Sequence, residues 1–220
     1  SYDFKAPADF RKLSVSPVST HDSSFLCAWW KFEAGTADEE LFKRKCREKG
    51  ISFEAVKDKL FDLENSRYGR LRWKGSVRDE GILLKALSLS AAEGGDFIGI
   101  YRESFGERDK FLQYLGDKPE GGGLASNSQS HPDGSSLSEI NRKAFEKASA
   151  SASIFSIQLL PDILSVDCWN ECDLWDFRVN TPGTVSDKNW SLVMPLSLED
   201  ILALPMNNVI KNINTNTLRS

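Results

Sequence analysis

Cysteine, basic charge and long apolar runs are all scarce in this chain, and each shortage closes a class of function. Its 220 residues hold four cysteines, Cys27, Cys46, Cys168 and Cys172. They are sparse and irregularly spaced, which is no disulfide framework; a reducing cytoplasm is the expected location. Cys168 and Cys172 have the separation of half a zinc site, but no second Cys/His pair follows. Besides His21 the only histidine is His131, in a Gly/Ser-rich run, so no metal and no other cofactor is expected. The formal net charge is −4 and no basic stripe exists, which argues against nucleic acid and anionic membranes as partners. No apolar run reaches membrane-spanning length, and Ser1 to Lys5 lacks the charged-then-apolar pattern of a signal peptide. Gly121 to Gly123 lacks the Gly-Lys-Ser/Thr continuation of a phosphate loop. Ser23 and Ser24 stand beside His21 without a nucleophile-elbow pattern.

What is present is aromatic and globular. Apolar residues make up 40% of the chain, charged residues 27%, and six Trp and thirteen Phe point to a large core or an aromatic-lined groove. Residues 12–18 and 153–160 read as core strands. Between them, Cys27 to Phe32 begins a helix that Gly35 ends. Asp38 caps a helix over 39–48 that stops at Gly50. Ser52 caps the next, with Phe53, Val56, Leu60 and Leu63 at helical spacing. Residues 78–92 read as a helix apolar nearly all round and therefore buried. Residues 97–101 read as a short strand or link, and 107–115 as a short helix. The run 117–137 is Gly/Ser-rich and expected to be a flexible loop. Ser138 opens a further helix, Ser197-Leu198-Glu199-Asp200 starts a last one, and the Asn/Thr-rich tail is expected to fray.

Chemistry concentrates in Ser19-Thr20-His21-Asp22, at the end of the first strand, with Trp29-Trp30 shortly after. A carboxylate at the carboxyl end of a strand is where a barrel glycosidase places charge, and tryptophans offer flat apolar faces to sugar rings. Far downstream come Ser156-Ile157-Gln158-Leu159-Leu160-Pro161-Asp162-Ile163-Leu164, then Arg178-Val179-Asn180-Thr181-Pro182-Gly183-Thr184, Asn189-Trp190, Met194-Pro195 and Leu198-Glu199-Asp200. In order and spacing these blocks resemble the amylomaltase or disproportionating-enzyme family, the 4-α-glucanotransferases.

The resemblance implies an α/β fold: the C-terminal part of a (β/α)8 TIM barrel with a large, mostly helical insertion. Residues 1–34 would carry one barrel strand and the start of its helix, 35–116 the insertion, 117–137 the loop, 138–204 the last barrel helix, strand and closing segment, and 205–220 a tail. It implies retaining transfer of α-1,4-glucan segments between maltodextrins. Asp22 would be the third catalytic carboxylate, which stabilises the oxocarbenium-like state, and His21 a hydrogen-bond partner of bound glucose. Asn180, Trp29 and Trp30 are further substrate-binding candidates. The family's nucleophile and acid/base runs are not found here, so the chain is expected to be incomplete and inactive alone. Its expected partners are a glucan and the N-terminal part of the same enzyme. Two departures stand out. Pro161 replaces the Gln of the family's exit motif, and Ser191-Leu192-Val193 follows Asn189-Trp190 where two basic residues are usual.

Plainer readings exist for every one of these residues. Asp22 is suited to cap the following helix. His21 could be structural. Adjacent helix positions cannot share a face, so one of Trp29 and Trp30 belongs to the core while the other borders the groove. Asn180 to Thr184 reads as a turn. At the level of function, the alternatives are a non-catalytic glucan-binding module and a hydrolytic amylase or debranching-type relative.

Overall fold

The first ordered pairing, Val15–Ser16 (β1), is followed by one helical turn, Leu26–Ala28 (α1), which widens into a π-helical turn over Trp29–Glu33. The computed structural model describes residues 4–116, 137–166 and 174–218. The chain divides into two units, one built from Ser1–Trp29 and Ser135–Ser220, the other from Trp30–Gly134.

The second unit starts with Thr36–Asp38 (β2) and Glu39–Glu48 (α2). The Asp38 carboxylate accepts the Leu41 N–H at 2.7 Å, satisfying an orphan donor of the first turn. Gly50, at φ +67°, takes the left-handed conformation beyond the helix end. Phe53–Leu60 (α3) then passes directly into Phe61–Arg67 (β3), which pairs antiparallel with Arg70–Trp73 (β4). β4 also pairs antiparallel with β2, so the sheet order is β2-β4-β3. Along β4, Leu71 and Trp73 are buried while Arg70 and Arg72 lie at the margin, the period-2 alternation of a one-sided sheet. Glu80–Leu87 (α4) and Gly95–Leu115 (α5) complete the unit. Its core centres on Phe42, which is fully buried and meets Phe53, Phe61, Trp73 and Phe97 edge-on. The Tyr101 hydroxyl, buried in the same core, donates to the Val77 carbonyl at 2.9 Å.

Helices make up most of this unit, and a three-stranded sheet lies among them. Residues 61–73 form a hairpin: Leu63 continues a strand, not a helix. α4 is shorter than 78–92 and buries one face only, through Leu83 and Leu87, while Ile82 is 39% exposed. Residues 97–101 and 107–115 belong to one helix, α5, because Gly99 and Gly106 are tolerated within 21 residues anchored by Phe97, Ile100, Tyr101, Phe111 and Leu115.

The first unit resumes with Leu137–Ser149 (α6), Phe155–Ser156 (β5), Leu160–Leu164 (α7), a 3-10 turn at Leu174–Phe177, Leu198–Ala203 (α8) and Met206–Asn216 (α9). β1 and β5 pair in parallel, Val15 with Phe155 and Ser16 with Ser156. The ladder is much shorter than the expected strands. Its apolar side chains are not core: Val15 and Phe155 are each about half exposed, as is Ile157 just beyond it. The tail does not fray. α9 packs on α6 and α7, burying Ile213 against Phe145 and Val166, and Met206 against Leu164 and Ile201. The described residues are thus α/β, with one parallel ladder and one antiparallel sheet in separate units. The expected loop 117–137 lies almost entirely outside the described residues, as do Cys168 and Cys172.

Candidate active site

Just past β1 the backbone turns on itself. Ser23 N–H donates to the Thr20 carbonyl at 3.0 Å, and the Ser23 hydroxyl accepts the Thr20 N–H at 3.0 Å. His21 and Asp22 sit at this turn with about half of each side chain exposed. Two side chains and one segment from later in the sequence fix the stretch around them.

The first is Gln158. After the Ser16–Ser156 pair, its Oε1 accepts the Val18 N–H at 2.7 Å, and its Nε2 donates to the Ser16 carbonyl at 3.1 Å. An amide side chain thereby extends the ladder where the backbone stops pairing. The second is Asp162, which is fully buried. One oxygen accepts the Ser19 hydroxyl, the other the Leu26 N–H at 2.8 Å. Asp162 therefore satisfies the first N–H of α1, the position for which Asp22 was the sequence candidate; α1 has no side-chain cap of its own. Burial pushes the Asp162 carboxyl up to about 6 against the lowering effect of its two donors. It also drives the neighbouring Cys27 thiol up to about 12, with the Asp162 charge adding to the burial.

The third is the segment Arg178 to Trp190. Asn180 Nδ2 donates to Asp22 Oδ1 at 2.7 Å. The other Asp22 oxygen lies 3.4 Å from His21 Nε2. Arg178 bridges the same two stretches, donating to the Ser24 hydroxyl at 2.7 Å and to the Asn180 carbonyl at 3.0 Å. Asn189 braces the Thr181–Thr184 turn: its Oδ1 accepts the Thr181 N–H at 3.1 Å and its Nδ2 donates to the Thr184 carbonyl at 3.1 Å. Trp190 follows, with its ring centroid 4.9 Å from that of His21.

Of the sequence candidates, His21, Asp22 and Asn180 come together. Trp29 is half-buried at the start of the π-helical turn. Trp30 is the core member of the pair. It is 5% exposed, belongs to the second unit, packs against Phe111 and lies under the Arg108 guanidinium at 4.3 Å. That leaves its ring without an open face for a sugar. Asp162, Arg178 and Trp190 were not singled out, although each lies within a motif block; that membership was the available signal. Among the described residues no group of three His, Cys, Asp or Glu side chains is placed to hold a metal ion.

Chemically, Asp22 is a half-exposed carboxylate whose orientation is set by one amide donor. It keeps free acceptor capacity for hydroxyl groups and a negative charge facing outward.

The sequence model of the 4-alpha-glucanotransferase family matches residues 1–197. The chain belongs to that family. No curated protein matches it. Family membership places the chain among transferases of carbohydrate metabolism that act on glucans. Among the described residues no helix is long and apolar enough to cross a membrane.

Proposed function

We propose that these residues form the charge-stabilising side of a 4-α-glucanotransferase site, with Asp22 as the third catalytic carboxylate and His21 and Asn180 as hydrogen-bond partners of the bound glucose. In a retaining transfer a nucleophilic carboxylate bonds to the anomeric carbon while a carboxylic acid protonates the departing 4-oxygen. An acceptor 4-hydroxyl, deprotonated by that same acid/base, then displaces the enzyme. Positive charge builds on the sugar ring in both steps, and a fixed carboxylate beside it lowers both barriers. The nucleophile and the acid/base are to come from polypeptide other than these 220 residues, whose sequence lacks the family's runs for them.

The observation that carries this reading is the Asn180–Asp22 hydrogen bond at 2.7 Å, which unites two motif blocks 158 residues apart. The parallel pairing of β1 with β5 supports a second element of the proposal, that these are neighbouring strands of a (β/α)8 barrel; the exposed Val15, Phe155 and Ile157 suit contact with further strands. A reducing cytoplasm fits Cys27 and Cys46, both buried and free.

The test is Asp22→Asn in the intact enzyme. The expected outcome is an unchanged circular dichroism spectrum and a fall of about 100-fold or more in the disproportionation of maltotriose, since loss of one electrostatic stabiliser costs on the order of 3 kcal/mol. Near-normal turnover overturns the assignment. Product analysis separates the alternatives: longer oligomers plus glucose mean transfer, simple shortening means hydrolysis, and binding without turnover means a glucan-binding module.

A further inference from the structure

Four non-glycine residues among those described have a left-handed backbone: Tyr68, Ser88, Trp190 and Leu218. Three have a local reason. Tyr68 shares the two-residue β3–β4 hairpin turn with Gly69, whose φ is also positive. Ser88 ends α4, and Leu218 lies just past α9. Trp190 ends no helix and joins no strands. It follows a turn closed by the Asn189 N–H to the Ser186 carbonyl at 3.0 Å, a position that glycine or asparagine would occupy at little cost. A bulky residue there is a backbone outlier, and burial does not offset the strain, because Trp190 is 65% exposed.

The surrounding bonds nonetheless hold it there. The Trp190 N–H donates to the Val179 carbonyl at 2.8 Å, one residue before Asn180. Asn189, one residue before Trp190, braces the Thr181–Thr184 turn through both ends of its amide. The strained residue and the one before it are therefore tied to the stretch of chain that delivers Asn180 to Asp22. The outcome is an indole standing beside His21, the rings 4.9 Å apart and tilted by 42°, with most of its surface open.

We propose that Trp190 is a carbohydrate-stacking platform of this site, presenting its open indole surface to the apolar face of a pyranose ring whose hydroxyls are held by Asp22 and Asn180. The inference rests on the site reading above. It adds a binding residue and a mode of recognition: hydrogen bonds around the rim of the sugar, C–H contact with an aromatic face on its flat side. A pyranose needs both kinds of contact together, and the Asp22–Asn180 pair without an aromatic partner supplies only the first. Strain at an exposed aromatic beside such a pair points to a binding role, because packing does not explain it.

The test uses three variants of the intact enzyme, with maltotriose as substrate and as titrant. Trp190→Gly fits the left-handed backbone and keeps the loop, Trp190→Phe keeps an aromatic face, and Asp22→Asn reports on the site itself. The proposal expects Trp190→Gly to melt at or above the parent temperature, to raise KM for maltotriose by about 10-fold or more with kcat changed far less, and to weaken maltotriose affinity equally in calorimetry. Trp190→Phe should recover most of that loss. If Asp22→Asn is inactive while Trp190→Gly keeps the parent KM and affinity, the platform is refuted and the site reading stands. If Trp190→Gly instead melts lower with KM unchanged, the indole is a structural prop and the platform is refuted as well. If neither Trp190→Gly nor Asp22→Asn alters turnover or binding, both readings fall.

Discussion

The Asp162 carboxylate accepts the Leu26 N–H at 2.8 Å across 136 residues of sequence, and its other oxygen takes the Ser19 hydroxyl. The two anchor points flank His21 and Asp22, so a buried side chain that touches no solvent sets the path of the exposed turn. Removing the side chain strands both donors. Asp162→Ala should lower stability by about 2–4 kcal/mol, since each buried polar group left unpaired costs about 1–3 kcal/mol. Urea unfolding measures the loss, and faster amide exchange at Leu26 locates it.

The same carboxyl gives the fold a pH dependence. Its native value of about 6 stands above the ordinary 3.8, so between those two the native state holds a proton that the unfolded chain has released. The stabilisation is complete below about pH 4 and is lost as pH rises through 6, at about 1.4 kcal/mol per pH unit at most. Unfolding free energies from pH 4 to 7.5 should fall more steeply in the parent than in Asp162→Asn, whose amide does not titrate. Parallel curves would show that Asp162 ionises normally.

Asn180→Asp would set two carboxyls in the contact now made at 2.7 Å by amide and carboxylate. Two like charges at that distance cannot both ionise easily, so one proton is retained and the pair titrates as a unit. In the intact enzyme the pH–rate profile should move to the acid side. Carbon-13 NMR of the carboxyls should show one of the pair titrating above the ordinary range. An unchanged profile would mean that the two side chains are apart in solution.

Phe42 is fully buried and touches four other aromatic rings. Phe42→Ala should cost about 3–5 kcal/mol through lost transfer energy and the cavity left behind. Thermal melts followed by near-ultraviolet circular dichroism read the loss directly, because that cluster contains Trp73 and Tyr101.

Burial raises the thiols of Cys27 and Cys46 to about 12 and about 11, leaving almost no thiolate at neutral pH. In a Cys168→Ser, Cys172→Ser variant, labelling by a thiol reagent at pH 8 should proceed at the unfolding rate and become complete on adding denaturant. Rapid labelling in native buffer would contradict the burial of both.

Features with local causes were legible in the sequence. Asp38 and Ser197 cap their helices as read, each accepting the N–H three residues on, and Gly50 ends α2. These positions depend on a few neighbouring residues. What was missed depends on distant ones. No glycine or proline marks the change from α3 to β3 between Leu60 and Phe61; the switch is imposed by pairing with β4. Residues 97–101 and 107–115 read as separate elements, yet α5 runs through both because its apolar residues are anchored along its length. The Asn/Thr composition of α9 conceals Val209, Ile210 and Ile213, which pack against Phe145 and Val166. In the site, Asp22 and Asn180 could be named from their motif blocks. The unusual backbone of Trp190 could not, since it follows from bonds to Val179 and from the brace at Asn189. The buried role of Asp162 depends likewise on where Ser19 and Leu26 come to lie.

The β1–β5 ladder has a consequence for the order of events on the ribosome. Val15 must wait for Phe155, whereas the aromatic core from Ala37 to Tyr101 is fully translated long before that residue emerges. The inserted unit can therefore mature first, while the earlier strand trails with its ladder partner unsynthesised, and the turn at His21 and Asp22 acquires its shape only when Gln158 and Asp162 arrive.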